Sequence, residues 1–183
     1  MNSKIIIFLF ANILALSRGA DDFGSQEIFT TNVQASTPTL GGVNCLIEAV
    51  FNVENLANDF SYNIQVCNVN ASAVVTEILN LCNTITENTG EIINADDIVC
   101  KNAAYEESDA GKSAPVACTE QINTLMANLF AAVSNTYKYL ASDESAIGDT
   151  CSAIAANTLK INLPILPESV NNCALLFKHL KFY

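Results

Sequence analysis

Residues 113–140 read SAPVACTEQINTLMANLFAAVSNTYKYL, and this stretch decides the fold class. Ile122, Leu125, Met126, Leu129, Phe130, Val133, Tyr137 and Leu140 recur at intervals of three and four, the period of one helix face. Ser113 is a candidate N-cap, and Pro115 falls in the first turn, where a missing N–H costs little. Polar residues fill the other faces. The stretch therefore predicts a long amphipathic helix that needs partners for its apolar stripe.

The same period recurs to either side. Leu46, Ile47, Val50, Phe51, Phe60, Ile64 and Cys67 mark a long helix over Cys45 to Cys67. Val74, Val75, Ile78, Leu79, Cys82 and Ile85 mark a second, with Gly90 as its stop. A weaker element covers Glu91 to Tyr105, and the polar segment Glu106 to Lys112 reads as a loop. After residue 140 a helix could start at Ser142, with Asp143 and Glu144 suited to its dipole, and run past Ile147, Cys151, Ile154 and Leu159 until Pro164. Pro167 then opens a last helix through Leu176 and Leu180. Strand-like alternation never persists. The fold class is all-α, one disulfide-linked bundle of five or six helices over residues 43–183.

Two segments precede it. Lys4, the apolar run Ile5 to Leu16 and the small residues Ser17 and Gly19 have the order of a signal peptide, residues 1–19, cleaved after Gly19 or Ser17. That run is short against the ~20 residues of a membrane span. Residues 20–42 are rich in Ser, Thr, Gly, Asp and Asn, include Pro38 and Gly41-Gly42, and read as a flexible arm. The expected location is secreted and extracellular.

Export sets the reading of the seven cysteines, because an oxidising compartment lets Cys45, Cys67, Cys82, Cys100, Cys118, Cys151 and Cys173 form lasting bridges. Cys45 and Cys67 sit roughly 33 Å apart along one helix at ~1.5 Å per residue and cannot pair. If successive helices alternate direction, Cys82 meets Cys100, Cys67 meets Cys118 and Cys45 meets Cys151. Cys173 is left over and could link two chains. This is one of fifteen pairings open to six thiols.

Charge and motifs narrow the function. Without the leader the chain carries nineteen acidic residues against six lysines and no arginine. Nucleic acid and anionic membranes are repelled by that balance. No catalytic constellation is present: Gly111-Lys112-Ser113 has Glu106 where a phosphate loop needs glycine, and the lone His179 is lysine-flanked. No metal site or cofactor is expected. The calcium-loop echo at Asp143 to Asp149 has Ile147 at a ligand position and Ile154 at the closing one. Asp96-Asp97 and Glu106-Glu107-Asp109 read as solvated acidic faces. Asn70-Ala71-Ser72 is the sole glycosylation sequon, although Asn70 could equally cap the second helix.

Two roles remain. Phe51, Phe60, Met126, Phe130 and Tyr137 could line a pocket for a small hydrophobic ligand such as a lipid or odorant, or simply pack the core. The other role is an extracellular interaction or defence-related protein with an unidentified protein partner. The leader, Cys45, the aromatic approach Phe60-Ser61-Tyr62-Asn63 to Cys67 and the later helical cysteines resemble the secreted insect proteins that share the TsetseEP domain, over roughly Val43 to Cys173. That resemblance implies an extracellular, helical, cysteine-bridged module, associated in its namesake with the gut surface and host defence. It implies no catalytic residues, and the namesake's acidic repeat tail is absent here.

Overall fold

The long stripe of residues 113–140 becomes helix α4 of a computed structural model that describes residues 23–67, 70–142 and 147–178. Among the described residues there are six α-helices: α1 Gln26–Ser36, α2 Leu40–Cys67, α3 Ala73–Ala95, α4 Val116–Ser142, α5 Thr150–Asn162 and α6 Ile165–Lys178. The only strand-like pairing among them is an isolated bridge between Thr39 and Ser113. Ile122, Met126, Leu129, Phe130, Val133 and Leu140 of α4 are buried as their spacing requires. The helix starts three residues later than its expected cap: Pro115 supplies the first helical carbonyl, accepting from Thr119 N–H, while Ser113 is spent on the bridge to Thr39.

Helix α2 lies at the centre, packed by α3, α5 and α6, and α4 packs against α3 and α1. One apolar core runs through all of them, with Phe60, Leu46, Ile78, Ile85, Met126, Leu163 and Leu166 fully enclosed. Gly90 does not stop α3. The buried series Cys82, Ile85, Thr89, Ile92, Ala95 keeps its three- and four-residue step past it, and Gly90 lies on the exposed side. Packing overrides the poor propensity of one glycine. The helix instead widens into a π turn, Asp96–Cys100, ended by Lys101 in the left-handed region at φ 56°. Pro164 does end α5, and Pro167 sits in the first turn of α6.

The expected flexible arm is, from Phe23 onward, part of the core. Ser25 caps α1 by accepting from Ile28 N–H, and α1 buries Phe29 and Val33 against α4 and α6. Its C-terminal end is stitched to the 110–114 loop. Leu40 N–H and Gly41 N–H, which have no acceptor within α2, donate to the carbonyls of Lys112 and Ala110 at 2.8 and 3.2 Å. Ala114 N–H donates to Pro38 O at 3.0 Å, Thr119 hydroxyl to Thr37 O at 3.1 Å, and Thr39 Oγ1 accepts from Gly42 N–H at 3.1 Å. Thr39 is thus the N-cap of α2. Low hydrophobicity hid this segment, because its contribution is three apolar side chains, Phe23, Phe29 and Val33, and a set of backbone hydrogen bonds rather than a long stripe.

The bridges are Cys45–Cys173, Cys67–Cys151 and Cys100–Cys118. All three expected pairings are corrected, and the odd cysteine is Cys82, not Cys173. The error has a geometric cause. The last helix folds back beside the start of α2, as α1 does, so Cys45 finds Cys173 rather than Cys151. The C-terminal end of α2 meets the start of α5, which takes Cys67 to Cys151, and the π turn aims Cys100 at the first turn of α4. Cys82 is 1% exposed within the core, and burial pushes its thiol up to about 12. No cysteine is left at the surface to link two chains.

Candidate functional site

A groove of about 450 Å³ opens between the start of α1 and the C-terminal half of α4. Its geometry begins with Gly24, whose φ of +86° turns the chain so that Phe23 folds back onto α4. Phe23 stacks obliquely on Phe130 and Tyr137 with centroids 5.4 and 5.3 Å away, and Phe29 closes on Phe130 at 4.5 Å. These separations are those of attractive ring pairs. The aromatic wall is therefore braced by two elements. Ala131, Ser134, Asn135 and Lys138 follow on the same face of α4 at helical spacing, and Gln26 closes the α1 side. The result is a half-open trough with an apolar wall and a polar margin.

The five residues expected to line one ligand pocket are not brought together. Phe130 and Tyr137 belong to the groove, but Met126 is fully buried in the core and Phe51 is 44% exposed on α2. Phe60, 1% exposed, borders only a separate space of about 70 Å³ between α2 and α5. Helical period identified the apolar face, but it could not separate core positions from the one end of α4 left partly uncovered. Phe23, the residue that completes the groove, was missed because it sits alone in a polar stretch. Its only sequence signal is an aromatic just ahead of the Gly24-Ser25 turn and cap.

None of the described residues that line this groove is acidic. Among the described residues no three His, Cys, Asp or Glu side chains converge as metal ligands. Asp149 is the N-cap of α5, which corrects the expected start at Ser142, the last residue of α4; Ser152 N–H donates to its carboxylate at 2.8 Å and holds it below the usual range. Asp143, Glu144, His179 and the leader lie outside the described residues.

Asp96 behaves differently. Its side chain is 7% exposed at the π turn, and burial pushes its carboxyl up; the Asn102 amide opposes this without a well-formed hydrogen bond, and Asp97 adds to it. A raised carboxyl binds its proton more tightly when folded, so the associated stability is full below the unfolded value and falls as pH rises through the folded one. Asp96→Asn is expected to remove that slope and to make the protein more stable than the parent at neutral pH, where the parent carboxyl must ionise in its buried setting. Unfolding midpoints measured across the acid range check it, and an unchanged slope would count against the assignment.

The sequon falls at the turn before α3, where Asn70 is exposed. Ser72, not Asn70, is the cap: its hydroxyl accepts from Val75 N–H and donates to Ile147 O, both near 3.2–3.3 Å. Ser72→Ala is expected to cost about 1 kcal/mol in urea unfolding of unglycosylated protein, while Asn70→Gln leaves stability unchanged. Equal effects of the two substitutions would show that the cap is energetically silent.

No family model, no curated protein and no solved structure matches the chain.

Proposed function

We propose that this is an exported extracellular protein that works by binding, of the interaction or defence-related kind that the TsetseEP resemblance implies. The observation that carries the reading is the use of the cysteines: six of seven are joined in three bridges, two of them between residues 128 and 84 apart in sequence. Such long-range bridges persist in oxidising compartments and are reduced in most cytosols. The leader-like first nineteen residues and the strongly acidic composition agree with this. No helix among the described residues is long and apolar enough to cross a membrane.

Intact mass of the natural protein, before and after reduction and alkylation, tests the proposal. It should show a chain that begins near residue 20, a gain of six alkylated thiols on reduction, and a seventh, Cys82, that reacts only after denaturation. Fully reduced natural material, or a retained leader inside cells, would end the reading.

A second reading is favoured by the groove. A carrier of a small hydrophobic ligand would use the trough beside Phe23, Phe130 and Tyr137, whose volume falls within the ~300–1,000 Å³ usual for small-molecule sites. Met126 is fully buried in the core and Phe60 borders a space of only about 70 Å³, so the ligand would sit at the surface between α1 and α4.

A further inference from the structure

Resting on the carrier reading, we infer that the groove between α1 and α4 takes a single-chain amphiphile with an anionic, carboxylate-like head group, its tail along Phe23, Phe130 and Tyr137 and its head at Lys138. Three observations converge on that class. The first is size: about 450 Å³ holds about fifteen groups of the ~30 Å³ that a water molecule occupies in the liquid, a medium-length chain and its head.

The second is the division of the walls. The rings of Phe23, Phe130 and Tyr137 already pack on one another at 5.3–5.4 Å, so the apolar side is formed before any ligand arrives. At the margin of the same face of α4, Ser134, Asn135 and Lys138 present hydroxyl, amide and ammonium donors. A pure hydrocarbon would use only the rings and leave the exposed donors of Asn135 and Lys138 to water, whereas an amphiphile engages both kinds of group.

The third is charge. Lys138 is exposed and, among the described residues, has no ion-pair partner. The helix around it carries no acidic residue after Glu120, in a chain whose net charge is −11. An ammonium without an ion-pair partner among the described residues, at the margin of an apolar trough, suits an anion and disfavours a cation of the same length. The competing role for Lys138 is to complement the C-terminal dipole of α4, which ends four residues on. That role affects stability and not ligand choice.

The test is calorimetric titration of the oxidised full chain with sodium decanoate and, separately, decyltrimethylammonium bromide. Decanoate is expected to bind one to one, at least tenfold more tightly than the cation. Lys138→Glu should weaken decanoate about tenfold and abolish the preference, with helix content unchanged. Ala131→Trp, which places a large ring at the groove, should remove binding of both. Equal affinity for the two amphiphiles, or decanoate binding indifferent to both substitutions, overturns the inference. So does the absence of saturable binding, the result expected if the groove serves a protein partner instead. Counting bridges in the same sample separates the outcomes: three intact bridges without decanoate binding sink only the groove assignment, while reduced natural protein sinks the export reading beneath it.

Discussion

Cys45→Ala/Cys173→Ala is expected to destabilise the protein by about 5 kcal/mol, the upper end of what one bridge contributes. The bridged residues are 128 apart, and the entropy that a cross-link removes from the unfolded chain grows with the logarithm of the loop it closes. Cys100→Ala/Cys118→Ala should cost less, about 3 kcal/mol, because only 18 positions separate that pair. The comparison matters more than either number. Cys100 and Cys118 are both buried while Cys45 is only partly so, and packing alone would therefore make the shorter bridge the costlier one to lose, the opposite of the order that loop length predicts. Urea unfolding of the two double variants against the parent checks the order. Equal losses would mean that packing around the sulfurs, rather than restriction of the unfolded chain, supplies the stabilisation. Since domains of this size are stable by only ~5–15 kcal/mol, the longer bridge alone can decide whether the chain stays folded when warm.

Gly42→Ala is expected to cost about 3 kcal/mol or more, a large effect for one methyl group. A Cβ at residue 42 would lie 1.9 Å from the carbonyl oxygen of Ser36, and that oxygen is backbone at the end of α1, with no rotamer to yield. Relief requires α1 to move away from α2, which would open the stitching of residues 37–41 to the 110–114 loop and withdraw Phe29 and Val33 from the core. Gly41 is confined in the same way, its Cβ position 2.8 Å from the backbone of Ala110. Gly90→Ala is the matched control. Nothing lies within 4 Å of its Cβ position, and it sits mid-helix on an exposed face, so alanine should stabilise by about 0.5–1 kcal/mol. Thermal or urea unfolding of the two variants should therefore move in opposite directions. A mild effect at Gly42 would show that α1 is only loosely docked.

These three glycines illustrate what local reading misses. Gly41-Gly42 looked like the mark of a flexible arm, and Gly90 like a helix stop. The structure uses the first pair to bring two helix ends and a loop into backbone contact, and it tolerates the third because Thr89 and Ile92 pack on either side of it in sequence. Composition describes a residue's own freedom, whereas these outcomes depend on what approaches it from elsewhere in the chain. The groove has the same character. Phe130 and Tyr137 stood out by period, but only the return of Phe23 over Gly24 makes them one wall.

By itself the sequence determined the helical class, the apolar faces of α2, α3 and α4, the end of α5 before Pro164, and the capacity for three bridges. Each of these follows from spacing or backbone chemistry within a few residues. Only the tertiary structure decided which cysteines pair, that Cys82 is the unpaired one, that residues 23–39 belong to the core, and where an unfilled trough remains. Those depend on which helix ends meet in space. Helical periodicity says which side of a segment is apolar, but not which neighbour covers it or at what height.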